Sequence, residues 1–154
     1  MHPAADDSSA PSPPSGWTSI FSTTTSGQTL TVSGVVCDGS EGSSFTWGSV
    51  ANRFAAGIVG YRGANNSTPE DVVGTNGGGT GANLTAASVT PTVANTALLF
   101  FGTADQDDSS STTNTPPSGM TERVDVAAST WVSIEIASEN RYNCRRNGNE
   151  DRHE

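Results

Sequence analysis

Thr130-Trp131-Val132-Ser133-Ile134-Glu135-Ile136-Ala137 changes side-chain character at every step. In an extended chain successive side chains point to opposite sides. Val132, Ile134 and Ile136 therefore share one face, and Trp131, Ser133 and Glu135 share the other. A period of two over this length predicts a half-buried strand, apolar inward and mixed outward.

Outward from this stretch the same kind of signal recurs. In residues 97–103, Leu98 and Phe100 oppose Leu99 and Phe101, and in residues 53–61, Phe54 and Ile58 oppose Val59 and Tyr61. Apolar character on both faces predicts central strands. Runs at 17–22, 29–37, 44–48, 87–93 and 120–126 are β-branched, aromatic or apolar and end in Gly, Asn, Ser or Pro. The nearest approach to a helical stripe, residues 51–57, is interrupted by Gly57 and Gly60. The expectation is an all-β fold: a β-sandwich or jelly-roll-like body of about eight short strands with disordered termini. Its expected core is Phe54, Ile58, Val59, Leu98, Leu99, Phe100, Phe101, Val132, Ile134 and Ile136.

The ends differ from the middle. Residues 1–15 hold Asp6-Asp7-Ser8-Ser9 and then Pro11, Pro13 and Pro14. Such a segment has no face to bury and reads as a disordered lead-in. Residues 141–154 read as a polar tail that carries four of the seven arginines. The β-domain is assigned to residues 16–140. The acidity belongs to this domain, which holds eleven carboxylates and three arginines of a 154-residue chain of net charge −9.

Composition excludes several chemistries. The chain has no lysine, so a Walker-A phosphate loop and Schiff-base catalysis are ruled out. Net negative charge argues against nucleic acid and against an anionic membrane surface as partners. The longest clean apolar run, residues 97–101, is far short of the roughly 20 residues of a membrane span. Met1–Asp7 lacks the basic and apolar regions of a signal peptide, so the expectation is either a mature or cropped chain or one that leaves its cell without a signal. Cys37 and Cys144 fit either one disulfide or two free thiols.

Pro13-Pro14-Ser15-Gly16-Trp17-Thr18 recurs 103 residues later as Pro116-Pro117-Ser118-Gly119-Met120-Thr121, with five of six positions matching. Prolines stiffen the approach, Gly makes the turn, and a large apolar residue anchors the strand that follows. Between and after the copies come Ser44-Phe45-Thr46-Trp47, Ala55-Ala56-Gly57-Ile58-Val59-Gly60-Tyr61-Arg62-Gly63, Ala97-Leu98-Leu99-Phe100-Phe101, Thr121-Glu122-Arg123 and Trp131-Val132-Ser133-Ile134. This order resembles a β-sandwich module of predicted phage virion proteins and secreted bacterial proteins, over roughly residues 13–138. Two departures stand out: the polar residues 1–12 replace an apolar first strand, and only residues 124–130 separate Thr-Glu-Arg from the last strand. Missing strands leave open edges that pair with other chains.

The resemblance implies a non-enzymatic virion structural protein, a capsid decoration or tail-associated part. Its partners would be other virion subunits or further copies of itself in an oligomer, and its location the virion. The alternative is an extracellular carbohydrate-binding or adhesion module that recognises a cell-surface glycan. For that reading the candidate ligand-binding residues are Trp131, Glu135 and Trp47, since an exposed Trp stacks on a sugar ring while a carboxylate takes its hydroxyls. No cofactor is predicted beyond Ca²⁺. Its candidate ligands are Asp105, Asp107 and Asp108, three carboxylates within four residues, without the Gly and Glu of an EF-hand. No catalytic residue is assigned. The two histidines, His2 and His153, lie in the terminal segments, and no Gly-x-Ser-x-Gly elbow occurs. Glu41, Glu70, Asp71, Glu122 and Glu135 are available as a glycosidase pair, but nothing in their spacing sets two across one cleft.

Overall fold

The computed structural model describes residues 2–6, 10–25, 28–49, 53–74, 83–105, 113–128 and 131–141. Among them the architecture is all-β and contains no helix. Seven strands form in chain order: β1 (His2–Asp6), β2 (Thr18–Thr25), β3 (Gln28–Gly34), β4 (Phe54–Gly57), β5 (Thr96–Asp105), β6 (Thr121–Ala128) and β7 (Val132–Arg141). They make two sheets, one ordered β2-β3-β1-β4 and the other β5-β7-β6, antiparallel throughout.

The strand with the period-two alternation, β7, is the centre of the smaller sheet. β7 pairs with β5 along its whole length and with β6 on its other side. Val132, Ile134 and Ile136 are fully buried and face the larger sheet, where Ala55 joins Val132 and Ile134 in the core. The opposite face is buried as well: Ser133, Glu135 and Ala137 have no exposed surface. The half-buried strand expected from the alternation is therefore buried on both sides. On that face Phe100 of β5 and Leu84 from the preceding segment lie over Gly102, which pairs with Glu135.

The two strands expected to be central are edges instead. In β4 the inward positions are Ala55 and Gly57, while Phe54 is 53 % and Ile58 46 % exposed. The sheets approach so closely here that only small side chains fit between them. A Cβ at Gly57 would lie 2.8 Å from Val124 Cγ1, 3.1 Å from Ile136 Cδ1 and 3.2 Å from Ile134 Cδ1. Bulky residues are thus on the outside of β4, the inverse of the usual size signal. In β5 Phe100 is buried, whereas Leu98, Leu99 and Phe101 are only half-buried.

Runs 44–48 and 87–93 form no strand. The first instead brings Phe45 and Trp47 against Trp17, at ring-centroid distances of 5.1 and 5.2 Å with edge-to-face geometry. Conversely, the N-terminal segment expected to be disordered supplies β1, which joins β3 to β4. Ladder hydrogen bonds come from the backbone, so a polar segment can complete a sheet between two open edges. The polar tail beyond Arg141 lies outside the described residues. The long segment between β4 and β5 folds back on itself: Asp71 accepts from the backbone N–H of Thr92 at 2.7 Å and from its hydroxyl.

The internal repeat is a structural repeat. In each copy a Pro carbonyl accepts the N–H three residues on, Trp17 to Pro14 at 3.1 Å and Met120 to Pro117 at 3.0 Å. The third residue is Gly at φ 85° in the first and 86° in the second, the left-handed position of a type II turn. Each turn leads into an edge strand, each edge strand carries a β-bulge at its third residue (Ile20 and Arg123), and each forms a hairpin with the strand after it.

Two stability outcomes follow from these positions. Gly57→Ala pushes a methyl group into Val124, Ile134 and Ile136, and denaturant melts are expected to show a loss of about 1–3 kcal/mol. Gly119→Ala meets no neighbour but strains the turn. The same melts are expected to show a loss of about 1–2 kcal/mol, with no change in the cooperativity of unfolding.

Candidate functional site

In a regular strand, Glu122 and Asp125 would point to opposite faces, because three is an odd separation. The bulge at Arg123 adds one residue and reverses the parity. Glu122 comes opposite Ala137 and Asp125 opposite Glu135, so both acids lie on the outer face of β7. Each of Glu122, Asp125 and Glu135 offers a carboxylate oxygen within 4.8 Å of the others. The three grade from exposed Glu122 through half-buried Asp125 to fully buried Glu135.

Asn114, in the approach to the second turn, clamps this group. Its backbone N–H donates to Asp125 Oδ2 at 3.1 Å, and its Nδ2 donates to Asp125 Oδ1 at 3.3 Å and to Ser133 Oγ at 3.1 Å. Glu135 has no such support. Both of its carboxylate oxygens are buried without a hydrogen-bond partner among the described residues. Directly across β5 stands Gly102, where an added Cβ would lie 2.9 Å from Leu84 Cδ1 and 2.9 Å from Phe100 Cζ. Arg123 belongs to the bulge, but its Nε donates to Ser138 Oγ at 2.8 Å, on the opposite face of β7. Burial, then the charges of Glu122 and Asp125, push the Glu135 carboxyl up to about 7.

The first hairpin places Ser19, Ser22 and Thr31 at the corresponding positions. There Ser22 Oγ and Thr31 Oγ1 hydrogen-bond at 3.2 Å. One backbone plan thus carries a neutral hydroxyl pair in one sheet and three carboxylates in the other.

The residues singled out from the sequence fall elsewhere or take other roles. Glu135 is at the acidic cluster and not on an open surface. Trp131 is half-buried, with the Arg53 guanidinium 4.6 Å from its ring centroid. Trp47 is held in the Trp17–Phe45 cluster, its indole N–H buried without a partner among the described residues. Asp105 is exposed at the end of β5, opposite Val132 and so on the other face from Glu135, while Asp107 and Asp108 lie outside the described residues. Cys37 is exposed and free among the described residues, and Cys144 lies outside them. Asp125 carries no signal of its own in the sequence, because its side depends on a bulge that no sequence period marks; the repeated turn motif is the nearest signal.

An open groove of about 540 Å³ lies beside Trp17 and Phe45, with Asp38 and Glu41 on its rim. Those carboxylates are engaged locally. Glu41 accepts the N–H groups of Asp38 at 2.7 Å and Gly39 at 3.0 Å, and Asp38 accepts the N–H and hydroxyl of Ser40. These hydrogen bonds hold both carboxyls below their ordinary range, the Ser40 hydroxyl leading for Asp38 and the backbone of Asp38 for Glu41.

Comparison with protein-family models, curated proteins and solved structures finds no match to this chain. The site is read from its own geometry. Each of the three carboxylates brings one oxygen within 4.8 Å of the other two. That spacing suits three groups that share one small charged ligand.

A stability profile measured in EDTA tests the burial of Glu135. Its carboxyl titrates at an ordinary 4.5 when unfolded and about 7 when folded, so the folded state holds the proton more tightly. The contribution of this group is then full below pH 4.5, falls as the pH rises, and levels off above about 7. The expected loss is on the order of 3 kcal/mol, and Glu135→Gln is expected to flatten that part of the profile.

Proposed function

We propose that the chain is a non-enzymatic structural protein that works through protein–protein contacts, as a capsid decoration or tail-associated part of a virion. Its two sheets would be the halves of a small β-sandwich of jelly-roll-like kind, and its main partner a further copy of the chain. The observation that carries this reading is the β4 edge of the larger sheet. There Phe54 and Ile58 are about half exposed and Tyr61 is 38 % exposed, in sequence along and just beyond β4. An open strand edge with large apolar side chains beside it pairs readily with another chain. The resemblance of the sequence to virion modules supplies the setting.

A second reading, an extracellular carbohydrate-binding or adhesion module, draws support from the open groove beside Trp17 and Phe45. A glycan array separates it from the first: binding that is lost in Trp17→Ala favours the module.

Sedimentation over a concentration series tests the structural reading. The wild-type chain is expected to associate as concentration rises. The double variant Phe54→Asp/Ile58→Asp, whose changes lie on the surface, is expected to stay monomeric with an unchanged melting temperature. A wild-type chain that is monomeric at every concentration and never co-sediments with particles overturns the assignment.

A further inference from the structure

We propose that Glu122, Asp125 and Glu135 form a binding site for one hard divalent cation, Ca²⁺, on the outer face of the β6–β7 hairpin. Three observations converge on it. The three side chains bring carboxylate oxygens within 4.8 Å of one another. Glu135, the innermost, has no exposed surface, and neither of its oxygens has a hydrogen-bond partner among the described residues. The corresponding positions of the first hairpin hold Ser19, Ser22 and Thr31, so the turn, bulge and strand pairing form without any acid there.

A buried carboxylate without donors needs either a proton or a cation. A proton satisfies Glu135 alone and leaves the charges of Glu122 and Asp125 beside it. One cation answers all three. The donors are all oxygen, which selects a hard ion over zinc or copper. Mg²⁺ keeps several of its waters, whereas Ca²⁺ exchanges them readily for carboxylates. Glu135 lies where water has no access, so an ion there sheds its water on that side, and this favours Ca²⁺. Asn114 supplies the outer support: it holds both oxygens of Asp125 and links them to Ser133. Ligand carboxylates in metal sites are commonly fixed in this way. Glu122 at the exposed end leaves an entry path from solvent.

The test uses the whole chain, stripped with EDTA and dialysed to pH 8. Titration calorimetry with CaCl2 is expected to give one site per chain, and CaCl2 is expected to raise the melting temperature in a saturable way. Asn114→Ala is expected to weaken Ca²⁺ binding by about 10–100-fold. Glu122→Gln, a change at an exposed position, is expected to weaken it by at least about tenfold while its metal-free melting temperature does not fall below wild type. The triple variant Asp105→Asn/Asp107→Asn/Asp108→Asn is expected to bind as wild type does. No heat and no melting shift up to about 10 mM CaCl2, above the range of weak extracellular Ca²⁺ sites, overturns the proposal. So does binding that vanishes in the triple variant and survives in Glu122→Gln. MgCl2 binding as tightly as CaCl2 overturns the choice of ion.

Discussion

β7 is the constraint on which the rest of the molecule depends. It is hydrogen-bonded on both sides, and its residues from Val132 to Ser138 are all buried. The apolar face fixes the distance to the larger sheet: Ile134 and Ile136 come so near β4 that Gly57 has no room for a side chain. That closeness in turn puts Phe54 and Ile58 on the outside. The polar face fixes the opposite surface, because Ser133 and Glu135 must be covered by Phe100, Leu84 and Asn114 without displacing the strand. One strand therefore sets both the compactness of the core and the exposure of the free edge.

The second ordering element is the repeated turn. Pro-Ser-Gly ends each approach in a type II turn, the next residue enters an edge strand, and a bulge follows at the third strand position. A bulge increases the local twist and moves every later side chain to the other face. In the first copy this brings Ser22 to Thr31, and Thr24 pairs with Thr29 at 2.9 Å further along. In the second it brings Asp125 to Glu135 and leaves Glu122 alongside. The same local geometry yields a neutral ladder in one sheet and a charged cluster in the other, and the difference lies in the side chains alone.

How far the fold could be read from the chain follows from the same physics. The alternation of Val132, Ile134 and Ile136 is legible because period two is a direct consequence of strand geometry. The all-β class and the repeated turn are legible for similar reasons. The roles of β4 and β5 are not, since apolar residues on both faces describe a central strand and a partly covered edge equally well. β1 is not, because His2–Asp6 shows no alternation and is held by its backbone pairing to β3 and β4. Residues 44–48 have strand-like composition, but edge-to-face contact with Trp17 uses Phe45 and Trp47 without any ladder. At the site, Glu135 stood out in the sequence as a surface ligand because polar residues in an alternating strand usually face water. Leu84 and Phe100, both distant in sequence, lie over Gly102, the residue that pairs with Glu135. Asp125 joins it only through the bulge.

Glu135 is where local and global preferences conflict. A central strand with both faces covered favours apolar or hydrogen-bonded side chains, and a natural sequence usually agrees with its fold at every level. The first hairpin shows that agreement: the corresponding position holds Thr31, buried and bonded to Ser22. Serine or threonine at residue 135 would meet the demands of pairing and packing with no charge to bury. A glutamate instead brings a desolvated carboxylate next to two others, which raises its carboxyl above the ordinary range. Departures of this kind concentrate at functional positions, where the local cost is offset by what the group does. A bound cation resolves the conflict with the residues already present. It uses the buried oxygens, cancels most of the repulsion from Glu122 and Asp125, and ties the edge strand β6 to the centre of its sheet.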